Sequence, residues 1–292
     1  MRSVSTTVPL VPAALPAPAA AVLARGRMVS TPCGAGWLRW HLWGDLQRAR
    51  PVVLLHGGSG SWTHWLRNIE PLMDQGHAIL APDLPGFGDS DLPPAGRDAD
   101  TMPMPLEQGL QGLLGPRACH LVGFSFGGMV AGLWANAVPE RVSRLVLVAP
   151  PGLGRPALER IKPKAWRHLS DPSQRKAVHQ HNLRELMFHD EASVSPLACQ
   201  LQQLNAERDR LTGRRLSQTD VLARALRQVA APTHLIYGEY DRYYLHQVEA
   251  IESVLRLCPG YVGSHCVAQA GHWVQFERAE AFEAALLGVG LD

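Results

Sequence analysis

Gly123-Phe124-Ser125-Phe126-Gly127-Gly128 follows the apolar run His120-Leu121-Val122 and sets a serine between glycines. The pattern predicts a strand that ends in a sharp turn carrying Ser125, with an Ala/Gly/Met-rich helix over 129–137 just beyond it. Such a turn holds the serine in a strained conformation and points the positive end of the helix at it. The glycines two before and two after Ser125 avoid collisions with the neighbouring strand and helix. A serine hydroxyl attacks a carbonyl only if a base takes its proton, so a histidine and an orienting carboxylate must follow. Leu235-Ile236-Tyr237-Gly238-Glu239-Tyr240-Asp241 reads as a buried strand running into an acidic loop. Asp241 is the expected carboxylate, and Glu239 is read as its surface neighbour. Cys266-Val267-Ala268-Gln269-Ala270-Gly271-His272-Trp273 reads as a last strand followed by the base, His272.

Acyl chemistry also needs donors for a developing oxyanion. Pro51-Val52-Val53-Leu54-Leu55-His56-Gly57-Gly58-Ser59-Gly60 is a buried strand ending in small residues, which lets backbone N–H groups approach a substrate. The expected donors are the N–H groups of Gly58 and Phe126, with Ser59 the alternative to Gly58. His56 is expected to order this loop by a side-chain hydrogen bond, and Asp83 to fix the loop after its own strand. Pocket-lining candidates are Ser59, His64, Phe124, Met187, Gln202 and Trp273, with Trp62, Trp65 and Phe126 beside them.

The elements that must position these groups follow a rhythm. Segments 27–32 and 37–43 flank Cys33-Gly34-Ala35-Gly36 and predict an antiparallel hairpin. Buried runs at 52–55, 78–81, 120–123, 145–149, 234–237 and 264–267 then alternate with helical stretches, which predicts a mostly parallel central sheet covered by helices on both faces. Active-site loops belong at the carboxyl ends of such strands. Segments 158–169, 174–188, 196–211 and 218–229 read as amphipathic helices. They predict an inserted helical cap over 151–229, dividing the core into 27–150 and 230–292. That interval carries 14 Lys and Arg against 8 Asp and Glu, a formal +6 that leaves −4 on the rest. A solvated helical surface and attraction of an anionic substrate are both open readings of that surplus.

The collinear set His56-Gly57-Gly58, Asp83-Leu84-Pro85-Gly86-Phe87-Gly88-Asp89-Ser90, the Ser125 turn, Asp241 and His272 resembles the α/β-hydrolase superfamily from residue 27 to the C-terminus. The chain order Ser, Asp, His is that of its triad and not that of chymotrypsin or subtilisin. The resemblance implies an α/β-hydrolase fold and a carboxylesterase-like serine hydrolase acting on a small-molecule ester through an acyl-enzyme, with no cofactor and no metal. Gly271-His272-Trp273-Val274-Gln275-Phe276-Glu277 and Leu186-Met187-Phe188-His189-Asp190 are similar to carbon–carbon hydrolases of meta-cleavage products, which gives the alternative reaction. In that group an asparagine commonly precedes the serine, where this chain has Phe124; His64 stands where a second asparagine is usual, and Gln202 where a lid arginine binds the substrate carboxylate. A non-catalytic binding protein on the same fold is the remaining alternative. The serine also sets the chain apart from the haloalkane dehalogenases and epoxide hydrolases of this fold, which use an aspartate nucleophile.

The resemblance implies a small-molecule acyl substrate and water as partners, and composition offers no sign of a macromolecular one. A formal +2 on 292 residues, with no basic block or zinc-finger spacing, argues against nucleic acid. Five scattered cysteines suit reduced thiols and a cytoplasmic protein. Cys258, His265, Cys266 and His272 match no zinc spacing. Residues 1–26 are Ala/Pro-rich and are expected to be a disordered extension, without the run of about 18 apolar residues a membrane span needs. A homodimer is left open.

Overall fold

The buried apolar runs become strands of one sheet. A computed structural model describes residues 5–6, 15–47, 51–154 and 162–291. The strands are β1 (Ser5–Thr6), β2 (Arg27–Cys33), β3 (Gly36–Trp43), β4 (Val52–Leu55), β5 (Ile79–Pro82), β6 (Cys119–Phe124), β7 (Val142–Val148), β8 (Thr233–Gly238) and β9 (Tyr261–Val267). Their order is β1-β2-β3-β5-β4-β6-β7-β8-β9. Pairings from β1 through β3 to β5 are antiparallel, and those from β5 through to β9 are parallel.

Alternate residues of the parallel strands enter different cores, as the pleat requires. Val53, Leu55, Leu121, Leu145, Leu147 and Leu235 pack on one face, while Val52, Leu54, Val122, Val146, Val148 and Ile236 pack on the other. Both faces are covered, which explains why these strands read as unbroken apolar runs. The helices are α1 (Ala17–Ala24), α2 (Ile69–Asp74), α3 (Pro103–Leu114), α4 (Phe126–Ala137), α5 (Pro172–Leu186), α6 (Pro196–Glu207), α7 (Val221–Leu226), α8 (Val248–Leu255), α9 (Val274–Glu277) and α10 (Ala279–Gly288). Pairing of Leu55 with Gly123, of Phe124 with Val148, and of Val148 with Ile236 brings the carboxyl ends of β4, β6, β7 and β8 side by side. Among the described residues no helix is long and apolar enough to cross a membrane.

Three expectations need correction. The extension over 1–26 is not disordered where it is described near the core: Ala17–Ala24 is helical, with Pro18 in the first turn, where the missing N–H costs no hydrogen bond. Ala19 and Val22 of α1 are buried, and the Trp43 indole N–H donates to the Val22 carbonyl at 2.8 Å. Residues 1–4 and 7–14 lie outside the described residues. The helix expected over 158–169 is absent over 162–169, and its earlier part to 161 lies outside the described residues. Pro163 explains this: it lacks an N–H and disfavours helical geometry at Lys162. The helix expected over 218–229 is shortened to α7, behind the 3₁₀ turn Leu216–Gln218.

Replacing Trp43 by Phe removes the indole donor and leaves the Val22 carbonyl only the Arg25 N–H at 3.2 Å. The expected loss is about 0.5–1.5 kcal/mol in urea unfolding; an unchanged midpoint would show that this bond does not hold α1 to the sheet.

Candidate active site

Ser125 links β6 to α4 with φ 49° and ψ −117°, a backbone region that costs a non-glycine residue about 1–3 kcal/mol. Its surroundings hold it there. The Ser125 N–H donates to the Val148 carbonyl at 2.7 Å, tying the turn to β7. A Cβ at Gly127 would lie 2.4 Å from the His56 carbonyl oxygen and 2.5 Å from that of Leu55, and one at Gly123 would lie 2.4 Å from the Gly127 carbonyl. Glycine at both positions is therefore what lets α4 begin directly against β4.

The three residues expected to act together meet. His272 Nε2 lies 3.0 Å from Ser125 Oγ, and His272 Nδ1 lies 2.7 Å from Asp241 Oδ2. Asp241 is fully buried and His272 nearly so. The other Asp241 oxygen accepts the Tyr243 N–H at 2.9 Å. An ionised carboxylate only accepts, so Nδ1 carries the proton and the Nε2 lone pair faces the serine. Phe124 and Tyr243 flank the imidazole with ring centroids at 5.0 and 4.8 Å. The arrangement is suited to withdrawing the Ser125 proton as its oxygen attacks a carbonyl carbon.

The loop after β4 is built on two histidines. His56 lies with Nδ1 2.8 Å from the Gly57 carbonyl and Nε2 accepting the Leu84 N–H at 2.8 Å. Both ring nitrogens are thus used by the neutral tautomer, and burial, the main cause, pushes the His56 pKa down to about 4. His64 Nδ1 accepts the Gly57 N–H at 3.2 Å, and burial followed by the nearby His56 and His272 holds its pKa well below the ordinary value. Gly58 faces Phe126: a Cβ on the glycine would lie 3.8 Å from the Phe126 Cβ. Ser59 has φ 49°, and its hydroxyl donates to Asp209 at 2.6 Å. Asp83 serves its loop, accepting the N–H groups of Trp62 and Asp89, both at 2.9 Å.

The pocket candidates divide. Phe124 is buried between His64, at 5.6 Å, and His272. Trp273 is fully buried and stacks on Phe188 and Phe276 at 5.5 and 4.3 Å. Met187 is half-buried at the end of α5, and its carbonyl accepts the Trp273 N–H at 2.8 Å. Gln202 is half-buried on α6. Trp62 and Trp65 lie in the same buried core as Phe124 and Trp273 but pack away from His272: Trp62 packs on Trp43 and His41, and Trp65 on Phe282. Glu239 is exposed and accepts the Gln269 N–H at 2.9 Å.

Sequence reasoning missed the polar ties between this site and the insertion between β7 and β8. Arg214 forms a two-pronged pair with Asp209, at 2.9 Å on each oxygen, and lies over the rings of Phe87 and Phe126 at 5.0 and 5.4 Å. Arg208 pairs with Asp89, and Arg210 binds the carbonyls of Phe87, Gly88 and Ser90. Asn205 joins Ser61 and Thr63. Part of the basic surplus thus fastens the insertion to the loops around Ser125. Asp209 and Arg214 are five residues apart, but the partners that join the insertion to the core are separated by more than a hundred residues, and no local spacing marks them.

Buried neutral histidines make stability depend on pH. A native pKa near 4 for His56, against about 6.5 unfolded, means the unfolded chain binds more protons in this window, so stability is full above it and falls as pH drops from about 6.5 toward 4. Urea unfolding from pH 7 to 4.5 is expected to lose up to about 1.4 kcal/mol per pH unit per such histidine; a flat profile would show that they are not held neutral. Gly127→Ala forces a methyl into two carbonyl oxygens and is expected to cost at least about 1–3 kcal/mol and to displace Ser125. Wild-type stability in that variant would contradict the packing argument.

The Alpha/beta hydrolase family matches residues 52–285. A 2-hydroxy-6-oxo-6-phenylhexa-2,4-dienoate hydrolase of Comamonas testosteroni is 30% identical over 250 residues, 79% of this chain and 84% of that protein. A 2-hydroxy-6-oxononadienedioate/2-hydroxy-6-oxononatrienedioate hydrolase of Cupriavidus pinatubonensis is 32% identical over 251 residues, 80% of this chain and 84% of that one. Among solved structures, a carboxylesterase from Bacillus subtilis superposes with a TM-score of 0.71 at 22% identity, covering 93% of this chain and 95% of its own. A meta-cleavage product hydrolase from Pseudomonas fluorescens gives 0.69 at 22%, covering 89% and 96%. With its strand order, its Ser125 turn and a match spanning most of its length, the chain belongs to the alpha/beta hydrolase family.

Proposed function

We propose that this chain is a serine hydrolase that cleaves the carbon–carbon bond beside the ketone of a dienoic acid. The observation that carries the serine chemistry is the continuous hydrogen-bonded chain from Ser125 through His272 to buried Asp241, at 3.0 and 2.7 Å. The choice of bond is supported by the relatives at 30% and 32% identity, whose names specify 6-oxo dienoates.

In this reading His272 takes the Ser125 proton while the oxygen attacks the ketone carbon, and Asp241 stabilises the imidazolium that forms. The N–H groups of Gly58 and Phe126 bind the oxyanion, each worth about 3–4 kcal/mol in comparable sites. Before that attack the dienol moves its 2-hydroxyl proton to C5, giving the 2-keto tautomer with a saturated C5, so that when the tetrahedral adduct collapses the C5–C6 bonding pair is delocalised through C3=C4 into the 2-keto group beside the carboxylate. The His272 imidazolium gives its proton to that carbanion and completes the product; neutral again, His272 takes a proton from the water that releases the acyl group from Ser125. The insertion over 151–229 acts as a cap, with Met187 and Gln202 facing the substrate and excluding water.

Ester cleavage is the second reading, and Phe124 favours it. This buried ring presses on His272 and His64 from the position just before the nucleophile, so that position offers a dienoate no hydrogen bond. The two readings share every step except the leaving group.

Turnover of 2-hydroxy-6-oxo-6-phenylhexa-2,4-dienoate and of p-nitrophenyl esters, measured side by side, separates them. The expected result is a kcat/KM preference for the dienoate of about 10²-fold or more, within what pocket contacts supply, and a loss of about 10⁴–10⁶-fold in Ser125→Ala. A preference for esters would reverse the order of the readings, and activity surviving Ser125→Ala would end both.

A further inference from the structure

We infer that Glu277 is a positioning residue for His272, acting as a clamp between the histidine loop and the end of α5. Glu277 closes α9 five residues after His272 and is buried to 5% exposure. Its carboxylate turns back along its own loop. Oε2 accepts the Gly271 N–H at 2.6 Å, while Oε1 accepts the N–H groups of Asp190 at 2.7 Å and His189 at 2.9 Å. The residue on the other side of the histidine, Trp273, donates its N–H to the Met187 carbonyl at 2.8 Å. Both neighbours of His272 are thereby fixed to segment 187–190, one through Glu277 and one directly. The contact is close: a Cβ on Gly271 would lie 2.7 Å from the His189 nitrogen and 2.8 Å from the Met187 carbonyl oxygen.

Burying a carboxylate is costly unless hydrogen bonds stabilise it, and three backbone donors supply charge-assisted ones here. Glutamine fills the same space but offers one acceptor oxygen, and its NH₂ group confronts donors that themselves need an acceptor. Glu277→Gln therefore loosens the Gly271 side or the 189–190 side without opening a cavity. The His272 ring works within a narrow range, since its Nε2 must stay within hydrogen-bonding reach of Ser125 Oγ while Nδ1 holds Asp241. Displacement of a reacting group by 1 Å can cost about 10²-fold in rate.

The kinetic consequence rests on the proposed serine hydrolysis, so the test has an arm that needs no turnover. Proton NMR of the full chain follows the His272 Nδ1–H bridging to Asp241, which resonates far downfield of the amide region. In Glu277→Gln this signal is expected to shift or broaden, and kcat per active site to fall about 10–10²-fold with KM little changed. Glu277→Asp, which keeps the charge on a shorter arm, is expected to recover part of both. A Glu277→Gln protein that melts at lower temperature yet keeps the wild-type proton signal and kcat per site would overturn the inference, leaving Glu277 a structural brace only. Where wild type turns over neither substrate class, the hydrolase reading fails and the proton signal still decides the clamp.

Discussion

The structure depends on one steric allowance: nothing projects from Gly127. The first turn of α4 lies against the carbonyls of Leu55 and His56 at a distance that excludes even a methyl group. That approach fixes the start of α4, and with it the left-handed Ser125 and the placing of Phe126 against Gly58. Parallel pairing of β4, β6, β7 and β8 then sets where the loops carrying Gly58 and Asp241 emerge. The strain at Ser125 is small against the packing of the sheet, and it orients the hydroxyl toward His272.

Charge in the site is organised by burial. The imidazoles of His56 and His64 are held neutral and used as hydrogen-bonding spacers for the Gly57 loop. His272, by contrast, is given a carboxylate partner, Asp241, at 2.7 Å. A second layer of polar contacts fastens the insertion to this framework: Ser59 to Asp209, which is itself paired with Arg214, Ser61 and Thr63 to Asn205, and Gly271 to segment 189–190 through Glu277. The insertion and the groups proposed to react therefore share anchors.

Much of this was legible in the sequence because it is local. Glycine spacing around Ser125, a strand followed by an acidic loop at Asp241, and Gly271-His272 each report a turn whose geometry few residues allow. Alternating apolar runs report a parallel sheet for the same reason. The ties that hold the insertion were not legible, because Asp209 and Arg214 look like ordinary surface charges until folding brings Asp209 to Ser59. Helix α1 was missed since prolines in the segment suggested disorder, whereas Pro18 sits in the one turn that tolerates it. The helix expected near 158–169 failed for the complementary reason: Pro163 falls in an interior position.

The central claim is that Ser125 is an activated nucleophile, and its most direct measurement is stoichiometric labelling by a fluorophosphonate, with the modified residue located by peptide mass spectrometry in wild type and in His272→Ala. The account requires one equivalent on Ser125 in wild type and a labelling rate that collapses when His272 is removed. Labelling at another residue, or at Ser125 with equal speed in both proteins, would contradict it.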